Sequence, residues 1–253
     1  LIERTIRIVR AGLALLAVLA VALGAEAWIR LAVIPWHRRG SASWHRAWNR
    51  EVRNWGVRTV RAATAFTGLE VRVAGKVPST GRYLVVANHQ SSIDIPFLID
   101  VLRPLNLKFV AHDGLKRGKP AVSTGLRCGG SVFIGKKNLR DDLRALKEFA
   151  ATLEEMEGTA VIFPEGIRTH DGILEPFQIA GMRTLAEATG LPILPVVHDG
   201  LWKARTIRGT HRLVGGTLRF RVLDPIPVDR RTVYAEFESV MRAELEQIRE
   251  EQG

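Results

Sequence analysis

The stretch Tyr83-Leu84-Val85-Val86-Ala87-Asn88-His89-Gln90-Ser91-Ser92-Ile93-Asp94 sets an apolar run directly before a polar, histidine-bearing segment. The run predicts a buried strand, and Ile95-Pro96 just past the aspartate predict a helix starting nearby. A histidine at the C-terminal end of a strand, five residues before an aspartate, can form a base and its orienter. Asp94 would hold one ring nitrogen of His89 as N–H and leave the other free to take a proton from a substrate hydroxyl. No serine or cysteine nucleophile is needed to complete this pair.

Outward from that motif, short apolar runs alternate with helical segments. Strands are predicted at 69–73, 83–87, 108–111, 131–134, 160–163, 193–197 and 217–223. Helical stretches lie between them around 96–102, 139–157 and 182–189. This alternation predicts an α/β fold, a sheet with helices on its faces. A charged amphipathic helix at 232–252 follows, with Val233, Phe237, Val240, Met241 and Ile248 as its apolar stripe.

The chain has 253 residues, 46% of them hydrophobic, enough to bury one sizeable core. Lys+Arg number 37 against 26 Asp+Glu, for a formal net charge of +11. That balance suits an anionic partner: nucleic acid, an acidic membrane surface or a phosphorylated substrate. Cys128 stands alone, which excludes an intrachain disulfide framework and a cysteine-based zinc site.

The N-terminal residues decide among those partners. Residues 11–25 are an uncharged apolar stretch, shorter than the roughly 20 residues that cross a bilayer comfortably. A second apolar stretch, 31–36, follows Arg30, and arginines flank both sides: Arg4, Arg7 and Arg10 before, Arg38 and Arg39 after. Two readings fit, a short single span or a helical hairpin that dips into one leaflet, and the hairpin is preferred. A signal peptide would share the Arg-rich start and Ala25-Glu26-Ala27, but basic and aromatic residues continue well past that point. Trp28 and Trp36, beside arginines, suit the headgroup level, whereas Trp55 suits core packing. Residues 41–66 carry helical periodicity through Trp44, Trp48, Val52, Trp55 and Val60, predicting an amphipathic helix on a membrane or on the catalytic domain, ended by Thr67-Gly68.

Two further clusters fall at strand ends, where α/β sheets place ligands. One is Gly129 through Lys137; the other is Phe163-Pro164-Glu165-Gly166-Ile167-Arg168-Thr169. In the second, Glu165 can accept from a hydroxyl or a backbone N–H, Gly166 permits a tight turn, and Arg168 offers a planar fork for phosphate. Three His-Asp-Gly triplets, at 112–114, 170–172 and 198–200, read as strand exits rather than metal sites.

Together these blocks resemble the glycerolipid acyltransferase family that includes bacterial 1-acylglycerol-3-phosphate acyltransferases. Four ordered segments carry the resemblance: Asn88 through Asp94, Gly130 through Lys136, Phe163 through Thr169, and Leu191-Pro192-Ile193-Leu194-Pro195-Val196. It spans about residues 69–227. It implies an acyltransferase-type sheet flanked by helices, with membrane-anchoring helices at 1–66 and a catalytic domain at 67–253. It implies that His89 is the general base and Asp94 its partner. Lys136 and Arg168 would then hold the acceptor's phosphate, with Glu165 and Thr169 fixing the glycerol or the loop, Gly166 counted with them among the substrate-binding residues, and Pro195 shaping an acyl channel or packing a strand end. The implied reaction moves an acyl chain from acyl-CoA or acyl-carrier protein to the free sn-2 hydroxyl of 1-acyl-sn-glycerol-3-phosphate at the cytoplasmic face of the inner membrane. It requires no metal or other cofactor.

Several positions depart from the family pattern. Ile167 stands where threonine is usual, His112 where lysine is common, Gly135 where a charged residue is usual, and 178–181 lack a frequent lysine. These changes leave the chemistry and open the acceptor's identity, so a lysolipid with another headgroup, such as lyso-ornithine lipid, is the alternative. An inactive lipid-binding protein is disfavoured by the retained His89 and Asp94. A serine hydrolase is disfavoured because no Gly-x-Ser-x-Gly elbow occurs, and nucleic-acid binding because no reading motif accompanies the charge.

Overall fold

The computed structural model describes residues 2–135, 138–229, 234 and 236–251. Seven strands form one sheet in the order β1-β7-β6-β2-β5-β3-β4. They are β1 (Glu70–Gly75), β2 (Leu84–Ala87), β3 (Leu107–His112), β4 (Val132–Ile134), β5 (Thr159–Ile162), β6 (Ile193–Asp199) and β7 (Thr217–Val222). Every pairing is parallel except β6 with β7. All seven predicted strands are present, with ends shifted by at most two residues.

The middle strands are buried on both faces, and their alternation splits the core into two layers. Val85 and Ala87 of β2, with Leu194 and Val196 of β6, pack on one face beside Phe97, Leu98 and Leu102. Leu84 and Val86, with Ile193 and Val197, pack on the other beside Leu146, Phe149, Met182 and Met241. Continuous apolar runs are what a strand covered on both sides requires. The first face belongs to α3 (Asp94–Val101) and α4 (Val122–Cys128); the second to α5 (Leu139–Thr152), α6 (Ile179–Thr189) and α7 (Glu236–Glu250). The predicted helix 139–157 is shorter: it ends at Thr152, and 153–157 continue as turns, with Leu153 N on the Ala150 carbonyl and Glu157 N on the Glu154 carbonyl. The start of the last predicted helix and its Val233 lie outside the described residues.

The N-terminal region is a pair of long helices, α1 (Ile2–Trp28) and α2 (Ala42–Thr67), in extensive mutual contact. The second arm expected at 31–36 does not return: a π turn at Ile29–Val33 and a 3-10 turn at Ile34–Trp36 prolong α1. The returning arm is α2. Charged residues at 3–10 sit on the helix without ending it, so the helical run is far longer than the apolar count and reaches Trp36. It is long and apolar enough to cross a membrane, with Ile6, Leu13, Leu16, Leu19 and Leu23 exposed.

Both ends of α1 are fastened to the rest of the protein. Near its start, Arg10 Nε donates to the carbonyl of Phe66 at 2.8 Å. Near its end, the Glu26 carboxylate accepts from Ala121 N and Thr124 Oγ1, each at 2.9 Å, in α4 and its lead-in. Helix α2 packs on α3, with Trp44 and Trp48 buried and Trp55 against the core. Packing on the helix layer of the sheet is therefore the alternative realised for this amphipathic helix. Gly68 ends it in the left-handed conformation, φ +65, with its N–H on the Thr64 carbonyl. A buried lysine adds a polar tie: Lys108 Nζ on β3 donates to Asn49 Oδ1 of α2 at 2.7 Å and to the Gly129 carbonyl.

Candidate active site

Strand β2 lies between β6 and β5, so the residues leaving its carboxyl end meet those leaving its neighbours. Asn88 and His89 follow β2, the 163–169 loop follows β5, and His198-Asp199 close β6. His89 Nδ1 lies 2.8 Å from Asp94 Oδ2. The same oxygen accepts the backbone N–H of Gln90 at 2.7 Å and of Ser91 at 2.9 Å. Asp94 opens α3 and is wholly buried, where the helix N-terminus and these donors suit a carboxylate. A carboxylate cannot donate, so Nδ1 carries the proton and Nε2 is the lone-pair nitrogen. None of the described residues hydrogen-bonds to Nε2.

Phe163 stacks on the His89 ring at 4.2 Å between centroids, with planes 20° apart. The ring is thus held in orientation by a carboxylate at one edge and an aromatic face. His89 lines a cleft of about 290 Å³ together with Ile95, His112, Phe163, Gly166 and Gln178. Apolar walls with a few convergent polar groups are the usual make-up of a ligand site.

The 163–169 loop is bound to the histidine's own backbone. Glu165 is buried; Oε1 accepts the His89 N–H, and Oε2 accepts Glu175 N at 2.8 Å. Thr169 N donates to the His89 carbonyl at 2.9 Å. Its hydroxyl, also buried, is held by Asp171 Oδ1 and Gly172 N, each at 3.1 Å. The contacts of Glu165 and Thr169 hold this loop to the His89 backbone. Burial pushes the Glu165 carboxyl up to about 7, against the pull of its two backbone donors. Gly166 takes φ +69, and a Cβ there would stand 2.5 Å from Gln178 Nε2.

Arg168 Nη1 donates to Ser92 Oγ at 2.7 Å, which brings the guanidinium over the segment joining His89 to Asp94. Lys136 lies outside the described residues. Pro195 sits inside β6 opposite Val86 and is buried in the sheet, so its place is packing. The triplet at 112–114 leaves β3 as expected of a strand exit, but the His112 ring also lines the cleft.

Residues to which the sequence assigned no bonding partner complete the surroundings. Gln90 Nε2 donates to Asp199 Oδ1 at 3.0 Å, while its Oε1 accepts from Leu201 N and Trp202 N. Ser91 Oγ donates to the Ala204 carbonyl at 2.9 Å. Asn88 and His198 are joined by three hydrogen bonds of 2.9 Å. These partners lie more than 100 residues away, beyond any spacing signal.

A family model described as Acyltransferase matches residues 68–199, just over half of the chain. The chain belongs to the Acyltransferase family. Within that family it is 33% identical over 166 residues to human 1-acyl-sn-glycerol-3-phosphate acyltransferase alpha, covering 65% of this chain and 56% of the human protein. The Limnanthes douglasii 1-acyl-sn-glycerol-3-phosphate acyltransferase is 28% identical over 166 residues, covering 66% of this chain and 58% of its own. The chain thus spans little more than half the length of these curated relatives. The crystal structure of the Thermotoga maritima 1-acyl-sn-glycerophosphate (LPA) acyltransferase, PlsC, superposes with a TM-score of 0.75 at 23% identity, over 97% of this chain and 98% of that one. That likeness is one of fold, and it extends through the N-terminal helices.

Proposed function

We propose that this chain is an O-acyltransferase that moves an acyl chain from an acyl thioester to the sn-2 hydroxyl of 1-acyl-sn-glycerol-3-phosphate, giving phosphatidic acid. The observation that carries this reading is the 2.8 Å contact of His89 Nδ1 with the buried Asp94 carboxylate, on a histidine that lines a cleft. The curated relatives bearing the 1-acyl-sn-glycerol-3-phosphate acyltransferase name support the acceptor class.

In this mechanism the acceptor's hydroxyl approaches His89 Nε2. The nitrogen takes the proton as the oxygen attacks the thioester carbonyl, and Asp94 stabilises the imidazolium that forms. The tetrahedral intermediate collapses, expelling the thiolate, which recovers the proton from His89. The thioester supplies the driving force, and acyl-CoA or acyl-carrier protein serves as co-substrate. General-base assistance of this kind contributes on the order of 10²–10⁴-fold, with orientation supplying much of the remainder. Arg168 meets the acceptor's phosphate. Helix α1 lays its exposed apolar side in the membrane at the cytoplasmic face, with Arg4 and Arg7 at the headgroups, so that a lipid acceptor reaches the cleft.

A second acceptor is favoured by one observation. His112 and Gly135, two of the departures from the family pattern, both line the cleft. A lysolipid with a different headgroup, such as lyso-ornithine lipid, fits such walls. Incubating detergent-purified protein with labelled acyl-CoA and a panel of lysolipids, with products identified by mass spectrometry, decides between them. Absence of any acylated lipid with either CoA or carrier-protein donors would sink the acyl-transfer reading.

A further inference from the structure

Of the seven histidines, His198 alone is wholly buried. It sits near the carboxyl end of β6, beside the end of β2, with its ring stacked on Phe220 of β7 at 5.1 Å. Three hydrogen bonds lace it to Asn88. Its backbone N–H donates to Asn88 Oδ1, its carbonyl accepts from Asn88 Nδ2, and its ring Nε2 meets the Asn88 carbonyl, each at 2.9 Å. A carbonyl only accepts, so the ring proton is on Nε2.

The other ring nitrogen, Nδ1, is buried without a hydrogen-bond partner among the described residues. A second proton there would find no acceptor, and burial pushes the ring's protonation down. His198 is therefore an uncharged donor. Its Nε2 also lies 3.8 Å from Asp94 Oδ2, the oxygen that receives His89 Nδ1–H. That separation is too long for a hydrogen bond but close enough for the N–H dipole to act on the carboxylate. The titratable groups facing His198 are Asp94 at the start of α3, His89 after β2, and Asp199 on its own strand, the last held by Arg249 of α7 at 3.2 Å. Glu165 stands behind His89, on its backbone N–H.

We propose that His198 is a positioning residue for the His89–Asp94 pair. Its uncharged N–H anchors the carbonyl of Asn88, the peptide that carries His89, and its Nε2 stands 3.8 Å from Asp94 Oδ2. The first contact fixes where the base stands. The second draws off part of the carboxylate's pull on the His89 proton, so that His89 releases its proton more readily. A charged ring at this place would repel the imidazolium formed on His89, which is why neutrality matters. This inference rests on the reading of His89 as general base.

The test compares wild type with His198→Phe and His198→Gln. Phenylalanine keeps the aromatic packing and removes the donor; the glutamine amide restores an N–H without a titrating ring. We expect kcat/KM to fall about tenfold in His198→Phe, with the acid limb of its pH–rate profile moved to higher pH. His198→Gln should recover most of the activity, with its acid limb near that of wild type. Diethyl pyrocarbonate, which modifies unprotonated imidazole, gives a readout independent of turnover. The pH midpoint for modification of His89, identified by subtracting a His89→Ala control, should move upward in His198→Phe. A folded His198→Phe with unchanged limb and midpoint would overturn the proposal. So would a folded His198→Gln that loses tenfold or more without moving either. If His198→Phe does not fold, the glutamine variant decides alone. Full turnover in His89→Ala would instead defeat the general-base reading, while the modification midpoint would still report on His198.

Discussion

The carboxylate of Glu165 accepts the backbone N–H of His89, while Thr169 donates its own N–H to the His89 carbonyl. The loop after β5 therefore grips the peptide units on both sides of the histidine, and the ring is left to Asp94 and Phe163. Each residue of the site has a separable task, and each task has its own measurement.

Replacing His89 with alanine removes the proton acceptor and the ring's contacts with Asp94 and Phe163, while the grip of Glu165 and Thr169 on the backbone stays. Acyl transfer should fall by about 10²–10⁴-fold. Circular dichroism and vesicle co-sedimentation should match wild type. Retained turnover would contradict the assignment of the base.

Arg168 contacts Ser92 and lies outside the buried layers. Arg168→Ala should raise the acceptor's KM or lower its kcat/KM about tenfold or more, with the KM for acyl-CoA nearly unchanged. An equal loss in donor affinity would move the phosphate site elsewhere.

Glu165 gives a pH signature in stability. Its carboxyl is raised from 4.5 to about 7. A group raised in the folded state stabilises fully below its unfolded value and loses that contribution as pH rises through the folded one. The difference of 2.5 between those values corresponds to about 3 kcal/mol. Chemical denaturation of wild type and Glu165→Gln between pH 4.5 and 7 should show wild type losing about that much relative to the variant. His198 acts in the opposite sense, since its lowered folded value costs stability as pH drops below about 6.5. Because it is common to both proteins, the comparison cancels it.

Gly166→Ala should destabilise by about 1–2 kcal/mol for the left-handed backbone. Its Cβ must also displace Gln178 Nε2 from the cleft wall. A thermal melt reads the first effect and acceptor KM the second. A variant as stable as wild type would show that the loop can adopt another turn.

Much of this architecture was written in local patterns. The runs are unbroken in β2, β5 and β6, which are buried throughout, and alternate in β1 and β7, so all seven were legible. Gly68 marked the end of α2 because only glycine takes that turn cheaply. Helix α4 was missed: it is seven residues long, follows Pro120 and contains Gly125, too short and interrupted to show a helical period. The extent of α1 was underestimated because counting uncharged residues measures apolarity, while arginines are good helix formers. The His89–Asp94 pair was visible because both members lie within one loop. His198 was not, since its triplet looks like any turn and its bonds to Asn88 span 110 positions. Tertiary partners of that kind leave no periodicity to read.

Lys108 bears on how the molecule comes apart. Its ammonium, with burial bringing it down to about 8, is shared between Asn49 in the N-terminal helices and Gly129 beside the sheet. Peeling the hairpin away would remove one of that nitrogen's two acceptors and open its apolar surroundings to water. The two regions should melt as one cooperative unit, and a fragment trimmed to residues 67–253 should be a poorer folder than its own core suggests.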